Sequence, residues 1–197
     1  IGTFGDMSAF SFHSTKLYNT IEGGCLTCNN ENYFIRSKQL RDFGIVDENI
    51  VNDIGINGKM NEFQSAWGLL NLKIYKEEQA KRKRIKEFYD NSLAEIKGII
   101  IPKMPDNTTN SYQYYPIVVE NDFPLTRDEL CSKFNKQNIF PRKYFYPVCS
   151  DFECYKNVKG RENLPVTNDV KRKVVCLPYY GELNKSDLET IVDIIKG

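Results

Sequence analysis

The sequence predicts a mixed α/β fold in two unequal parts, an α/β part over residues 1–75 and a small α+β part over residues 76–197. Three observations support this division. Short strand-like segments surround a glycine- and hydroxyl-rich loop near the start, one long helical pattern occupies the middle, and strands alternate with capped helical patterns towards the end.

In the first part, a short apolar strand leads into the segment Phe10–Gly24. GGCLTC at residues 23–28 predicts a second strand, on which side chains three positions apart point to opposite faces. The mixture of charged and apolar residues over Asn30–Arg41 predicts a helix. The Gly-, Asn- and Asp-rich stretch Gly44–Gly58 predicts a loop.

A long helix is predicted next, because Asn61 followed by Gln64 matches the capping-box pattern. The helical pattern continues toward Ile96, about 36 residues, which suggests an element that connects two domains, and a break or bend is considered near Gly68 or the basic run Lys81–Arg84. Glutamates flank that basic run, and such charge mixtures are typical of a solvated helical face rather than of a nucleic-acid site.

In the second part, Ile99–Ile101 and Tyr112–Val119 predict an antiparallel pair of strands. Thr126 begins a capping box that predicts a helix through Lys136, and Lys173–Leu177 predicts a last strand. Asn184 caps a terminal amphipathic helix.

Composition excludes several classes of function. The 27 Lys and Arg residues nearly balance 26 Asp and Glu, so the net charge of +1 gives no case for nucleic acid or an anionic membrane as partner. No apolar run reaches the roughly 18 residues of a membrane helix, and we expect a cytoplasmic protein. Cys25 and Cys28 form the one C-x-x-C pair and His13 is the only histidine, so no metal site is expected.

Lys16 is the candidate catalytic residue. It follows an apolar strand and lies near Ser11, Ser14 and a pair of glycines at 23 and 24. Pyridoxal 5'-phosphate needs a lysine amine for its aldehyde and hydroxyl or N–H donors for its phosphate, and glycines allow close backbone approach. Against this, most lysines that follow a strand are solvated loop residues.

Several blocks of the chain resemble the DegT/StrS family of nucleotide-sugar aminotransferases. They are Gly5-Asp6, FSFHSTK at 10–16, Thr20 with EGG, GINGKMNEFQSAWGLLNL at 55–72 and, more weakly, Tyr112–Val119, PRKYFYPV at 141–148 and VCLP at 175–178. The resemblance covers essentially the whole chain. It implies the C-terminal part of a fold-type I, pyridoxal-phosphate-dependent transferase: a remnant of the large α/β domain over residues 1–75 and the small C-terminal domain over residues 76–197.

The resemblance also implies residue roles. Lys16 matches the lysine that forms the Schiff base with the cofactor and moves the substrate proton, and Ser11 matches a phosphate-binding serine. Asn57 matches an asparagine that reaches the phosphate of the neighbouring subunit's cofactor. A homodimer with a shared active site is therefore expected.

His13, Tyr144 and Tyr146, with Phe145 between the tyrosines, are weaker candidates for lining the sugar pocket. From the residues alone, the aromatic cluster is more typical of a strand packed on a helix, and His13 of a hydrogen-bonded structural histidine.

In complete members of the family, a long N-terminal stretch supplies most of the sheet, a phosphate loop and the aspartate that faces the pyridine nitrogen. This chain opens just before the lysine strand, so we expect it to be a C-terminal half with weak or no cofactor binding of its own.

The implied activity moves an amino group from glutamate to the keto carbon of a nucleotide-linked deoxysugar, with dTDP-4-keto-6-deoxyglucose as the expected substrate and O-antigen biosynthesis as the expected context. A non-catalytic fragment or partner subunit stays open as an alternative. A sugar dehydratase of the same scaffold carries histidine in place of the lysine, which disfavours it here. A hydrolase is disfavoured because no G-x-S-x-G motif is present.

Overall fold

The computed structural model describes residues 1–161 and 163–197, which divide into two compact units, Ile1–Lys76 and Glu77–Gly197. The boundary between the units falls inside helix α2 (Glu62–Leu93).

Unit 1 begins with an antiparallel hairpin of strands β1 (Met7–Ser11) and β2 (Gly24–Cys28), with Ser11 opposite Gly24 at the loop end. Helix α1 (Glu31–Arg41) follows, and its N-cap Asn30 accepts hydrogen bonds from the backbone N–H groups of Asn32 and Tyr33. Such a cap satisfies donors that the first helical turn leaves without partners. The predicted strand at GGCLTC and the predicted helix over Asn30–Arg41 are confirmed.

The loop predicted over Gly44–Gly58 was wrong in part, because a small antiparallel hairpin forms there from β3 (Ile45–Asp47) and β4 (Ile50–Val51). Its β-branched residues favour extended backbone, and they outweigh the turn-forming residues around them.

Helix α2 begins with the predicted capping box: Gln64 N donates to Asn61 Oδ1 (2.9 Å) and Asn61 N donates to Gln64 Oε1 (3.4 Å). The helix runs for 32 residues without interruption, so the break considered near Gly68 or the basic run does not occur. It ends three residues before Ile96.

Unit 2 contains a three-stranded antiparallel sheet in the order β5 (Ile99–Ile100), β6 (Tyr115–Val119), β7 (Val174–Leu177). Helices α3 (Arg127–Asn135) and α5 (Lys185–Lys196) begin with complete capping boxes, as predicted. Helix α4 (Pro165–Lys173) was not predicted. The strand considered for the aromatic cluster at 143–147 does not form; its neighbour Arg142 makes a single β-bridge to Cys176.

The hydrophobic core lies entirely in unit 2. Strand β6 buries alternate residues Tyr115, Ile117 and Val119, and the core continues through the residues that helices and strands contribute around it, among them Tyr89, Leu93, Leu130, Phe134, Val175, Ile191 and Ile195. This burial removes enough apolar surface from water to stabilise unit 2 from within.

Unit 1 differs sharply. Residues 1–76 are all described, and the only buried ones are Thr20, Gly44 and Gly68. Large apolar side chains of helix α2 are exposed here, including Phe63 at 87% and Leu70 at 56%. Contiguous exposed apolar surface of this kind is uncommon on a soluble monomer and marks a surface suited to contact with other polypeptide. None of the helices in the described part of the chain is long and apolar enough to cross a membrane.

Candidate active site

Lys16 lies on the loop that joins β1 to β2, residues 12–23, which we call the Lys16 loop. The loop is closed at its base, where Phe12 N donates to Gly23 O (2.9 Å) and Thr20 N donates to Phe12 O (2.9 Å). Within it, Lys16 N donates to His13 O (2.9 Å), which forms a tight turn just before the lysine side chain. The hairpin and its closing bonds therefore determine the position of the lysine backbone.

The Lys16 side chain is half-buried. Within residues 1–161 and 163–197, no carboxylate forms an ion pair with it. A carboxylate partner would favour the charged ammonium, whereas nucleophilic chemistry needs the neutral amine. Its surroundings are therefore compatible with reaction at the amine.

Helix α2 holds the Lys16 loop through Asn19. Trp67 Nε1 donates to Asn19 Oδ1 (3.0 Å), and Asn71 Nδ2 donates to the Asn19 carbonyl (2.8 Å). Asn19 Nδ2 in turn donates to the Lys16 carbonyl (3.2 Å). Sequence reasoning missed this group. Trp67 and Asn71 are four positions apart on one helix and so share a face, but their partner in the loop could not be read from that spacing.

The same part of helix α2 packs closely on the loop through Gly68. A Cβ at Gly68 would lie 2.8 Å from Thr20 Cγ2 and 3.0 Å from the Tyr18 hydroxyl oxygen. Thr20 is only 1% exposed, and its hydroxyl donates to Glu22 O (2.8 Å). The Tyr18 ring packs edge-to-face on Phe12, with ring centroids 4.9 Å apart.

The paired glycines serve the loop itself. A Cβ at Gly23 would lie 2.3 Å from Thr20 Oγ1, and a Cβ at Gly24 would lie 2.6 Å from the carbonyl oxygen of Phe10. Atoms of the chain therefore fill the space on the Cβ side of both glycines, and the close approach of their backbone to a ligand stays a prediction.

Ser11 is exposed at the end of β1, and its Oγ accepts from His13 N at 3.4 Å. The His13 ring is engaged inside the same loop: Nδ1 accepts from Thr15 N (3.2 Å) and lies 2.9 Å from Thr15 Oγ1, while Nε2 lies 3.4 Å from Glu22 Oε1. These contacts agree with a structural histidine that shapes the loop.

Asn57 lies on another segment of unit 1. It is exposed and forms an antiparallel β-bridge with Asp42. On either side of it, Ile56 N and Gly58 N donate to the last carbonyls of helix α1 (2.8 Å each). Because the last helical carbonyls lack partners within the helix, these bonds anchor the backbone and leave the Asn57 side chain at the surface.

Tyr144 and Tyr146 lie in unit 2. The Tyr144 ring packs against that of Tyr114, with centroids 5.0 Å apart. Tyr146 is 52% exposed and lies under the buried guanidinium of Arg127, at 5.1 Å from the ring centroid. The structure thus brings Ser11, His13 and Lys16 together on one hairpin, and places the two tyrosines in the other unit.

These residues fit the chemical needs of pyridoxal phosphate. Lys16 supplies an amine without a carboxylate partner, and the exposed Ser11 hydroxyl is a phosphate donor on the same hairpin. Among the described residues, no group of three or more His, Cys, Asp or Glu side chains could hold a metal ion. All six cysteines of the chain lie in the described part, and none of them forms a disulfide there.

Comparison with known proteins supports the prediction of a pyridoxal-phosphate-dependent sugar aminotransferase. The chain is 42% identical over 192 residues to a dTDP-4-amino-4,6-dideoxy-D-glucose transaminase of Shigella dysenteriae, covering 98% of this chain and 52% of that protein. It is 38% identical over 178 residues to an Escherichia coli protein of the same name, covering 89% of this chain and 48% of that protein. The chain spans about half the length of these curated relatives.

Solved structures show the same fold. A putative pyridoxal-phosphate-dependent aminotransferase from Bacillus cereus superposes with a TM-score of 0.88 at 28% identity, covering 98% of this chain and 52% of that one. PseC of Helicobacter pylori, an aminotransferase involved in the biosynthesis of pseudoaminic acid, superposes with a TM-score of 0.89 at 25% identity, covering 100% of this chain and 54% of that one.

The fold is therefore the C-terminal portion of a fold-type I, pyridoxal-phosphate-dependent transferase, as predicted. The profile of the DegT/DnrJ/EryC1/StrS aminotransferase family matches residues 1–196, and the chain belongs to that family. Its members are pyridoxal-phosphate-dependent sugar aminotransferases.

Proposed function

We propose that this chain carries the catalytic lysine of an aminotransferase that moves an amino group from glutamate to the C4 keto carbon of dTDP-4-keto-6-deoxyglucose. The observation that carries the proposal is the position of Lys16, half-buried on a loop that helix α2 holds. The names of the Shigella and Escherichia coli relatives, both dTDP-4-amino-4,6-dideoxy-D-glucose transaminases, support the choice of sugar.

In the proposed reaction, the cofactor and the residues of the chain have different roles. Pyridoxal phosphate, when bound, supplies an electron-withdrawing ring that stabilises negative charge on a substrate carbon. Lys16 would hold the cofactor through its amine and would move a proton at Nζ. The Ser11 hydroxyl, whose oxygen accepts from His13 N, would donate its hydrogen to a phosphate oxygen.

The remaining predicted residues belong to the same proposal. Asn57 has an exposed side chain on an anchored backbone, which suits a contact with the cofactor phosphate of a second subunit in a homodimer. His13, Tyr144 and Tyr146 would contact the sugar substrate, as the family resemblance implies. We propose a cytoplasmic enzyme of deoxysugar biosynthesis that feeds O-antigen assembly.

One observation favours a second candidate function, that of a partner subunit without activity of its own. Unit 1 buries no hydrophobic side chain although all its residues are described, and its apolar side chains need other polypeptide to cover them. In that case the catalytic lysine acts only after assembly.

The test uses the natural polypeptide that carries these residues. It is incubated with glutamate and dTDP-4-keto-6-deoxyglucose in the presence of pyridoxal phosphate, and the amino sugar is measured by mass spectrometry. In parallel, borohydride reduction followed by peptide mapping locates the lysine that bonds the cofactor. We expect amino-sugar formation and label on Lys16.

Lys16→Ala should abolish both signals, and Lys73→Ala, which changes an exposed lysine of helix α2, should leave both intact. Full transamination by Lys16→Ala would overturn the proposal. Activity that appears only when a second polypeptide is added would favour the partner-subunit function.

A further inference from the structure

We propose that Asn19 is a positioning residue for Lys16. The inference rests on the proposed function, because it concerns how the catalytic lysine is held. Asn19 lies three residues after Lys16 and is itself half-buried.

Asn19 connects two parts of unit 1, the Lys16 loop and helix α2, through three hydrogen bonds. Its Nδ2 donates to the Lys16 carbonyl (3.2 Å), and its Oδ1 accepts from the indole N–H of Trp67 (3.0 Å). Its backbone carbonyl accepts from Asn71 Nδ2 (2.8 Å). The side-chain nitrogen, the side-chain oxygen and the backbone carbonyl of Asn19 therefore all form hydrogen bonds at the same time.

The consequence concerns the backbone at Lys16. The Lys16 N–H is held by the His13 carbonyl (2.9 Å), and the Lys16 carbonyl is held by Asn19. With both peptide groups bonded, the direction in which the Lys16 side chain leaves the backbone is restricted. Because Asn19 is bonded to helix α2, that direction is set relative to the helix rather than by the loop alone.

A purely local role is the competing explanation. Asn19 Oδ1 also accepts from Ile21 N (3.2 Å), a bond typical of an Asx turn. If this bond were all that mattered, changing Asn19 would lower the stability of the loop without altering the chemistry at Lys16 in molecules that stay folded.

Asn19→Asp separates the two explanations. The carboxylate keeps an oxygen that accepts from Trp67 and Ile21, but it replaces the donor to the Lys16 carbonyl with a second acceptor oxygen, which breaks that bond. Trp67→Phe removes the indole donor from the helix side. Asn32→Asp, at an exposed position of helix α1, controls for the added charge.

The readouts are kcat, KM for the sugar, the rate of borohydride-trapped label at Lys16, and the thermal midpoint. Since small misplacements of a reacting group cost rate rather than affinity, we expect kcat and the labelling rate to fall about tenfold in Asn19→Asp, with KM changed less than about twofold. Trp67→Phe should also lower kcat and the labelling rate. In the double variant Asn19→Asp with Trp67→Phe, the fall should be smaller than the product of the two single effects, because both changes break the same link between helix α2 and the Lys16 loop.

Wild-type kcat and labelling in Asn19→Asp, with only a lowered thermal midpoint, would overturn the positioning role. Failure of the proposed function has a different signature, namely wild-type protein without transamination or label at Lys16. A fall in Asn32→Asp equal to that in Asn19→Asp would assign the effect to charge and also overturn the inference.

Discussion

Gly68 and Thr20 approach each other so closely that the helix has no room for a side chain at this point. A Cβ at Gly68 would lie 2.8 Å from Thr20 Cγ2. This contact joins helix α2 to the loop that carries Lys16, and glycine in the interior of a helix otherwise lowers stability.

Gly68→Ala should therefore not give the gain of about 1 kcal/mol that alanine normally gives over glycine in a helix. We expect the free energy of unfolding to fall and the labelling of Lys16 to slow, because Thr20 and Tyr18 must move away. Denaturant unfolding and borohydride trapping measure the two effects.

The matched control is Gly68→Ala combined with Thr20→Ser, which removes Cγ2 but keeps the hydroxyl that donates to Glu22 O. The double variant should recover part of the loss. If Gly68→Ala alone stabilises the protein, the close contact does not limit this position.

Ile21 adopts a positive φ of 67°, a left-handed conformation that is unfavourable for β-branched residues. It is 50% exposed, and substitution by glycine or by alanine removes the same half-buried side chain beyond Cβ. A left-handed backbone costs an L-residue about 1–2 kcal/mol, and glycine avoids this cost. Glycine in turn loses about 0.5–1 kcal/mol of folding free energy, because its unfolded state has more conformational entropy. Ile21→Gly should therefore be about 0.5–1 kcal/mol more stable than Ile21→Ala in denaturant unfolding. Ile21→Ala keeps the backbone penalty and should give no such gain, so equal effects of the two variants would contradict the explanation.

Leu130 and Leu70 provide a comparison between the two units. Leu130 is 0% exposed in the core of unit 2, and Leu70 is 56% exposed in unit 1. Leu130→Ala should lower the free energy of unfolding of the 197-residue chain by about 2–5 kcal/mol through lost burial and a cavity. Leu70→Ala should change it by less than about 0.5 kcal/mol. Equal losses in a denaturant titration would mean that unit 1 has a core of its own.

Asp128 leads to a prediction about how the free energy of unfolding depends on pH in acid. A hydrogen bond from Lys143, and a further one from Arg127, hold the pKa of the Asp128 carboxyl below its usual value. Because the folded-state pKa is the lower one, the stabilisation is present above the unfolded pKa of about 4 and is lost as the pH falls through the folded value.

Asp128→Asn should therefore make the free energy of unfolding less dependent on pH below about 4 than in the wild type. Measurement by denaturant unfolding across the acid range tests this. Asp106→Asn, which changes an exposed loop carboxylate, should keep the wild-type dependence. The Arg127 guanidinium still donates to the carbonyls of Lys171 and Val174 in the variant, so the fold is expected to persist.

Local signals predicted much of the fold. The capping boxes that begin α2, α3 and α5 were readable because a cap depends on residues three positions apart. Helix α4 was missed because no side chain caps it, and its N-terminus is marked only by Pro165. The β3–β4 hairpin was missed because glycine, asparagine and aspartate around it indicated a loop.

The candidate site also contains residues that local sequence identified and residues that only the structure revealed. Lys16 and Ser11 could be chosen from the sequence because their motif is contiguous, whereas Asn19 gained its meaning only from Trp67 and Asn71, which are about fifty residues further along the chain. The roles of all the candidate site residues stay predictions, namely Lys16, Ser11, His13, Asn57, Tyr144 and Tyr146.

The sequence by itself determined the family, the strand–loop–strand segment that carries the lysine, and the helices whose ends are capped, because each of these depends on neighbouring residues. Only the tertiary structure decided that Gly23, Gly24 and Gly68 make room for the chain's own atoms and that Asn19 ties the lysine loop to helix α2. Such contacts depend on where distant segments come together in space, which local propensity does not specify.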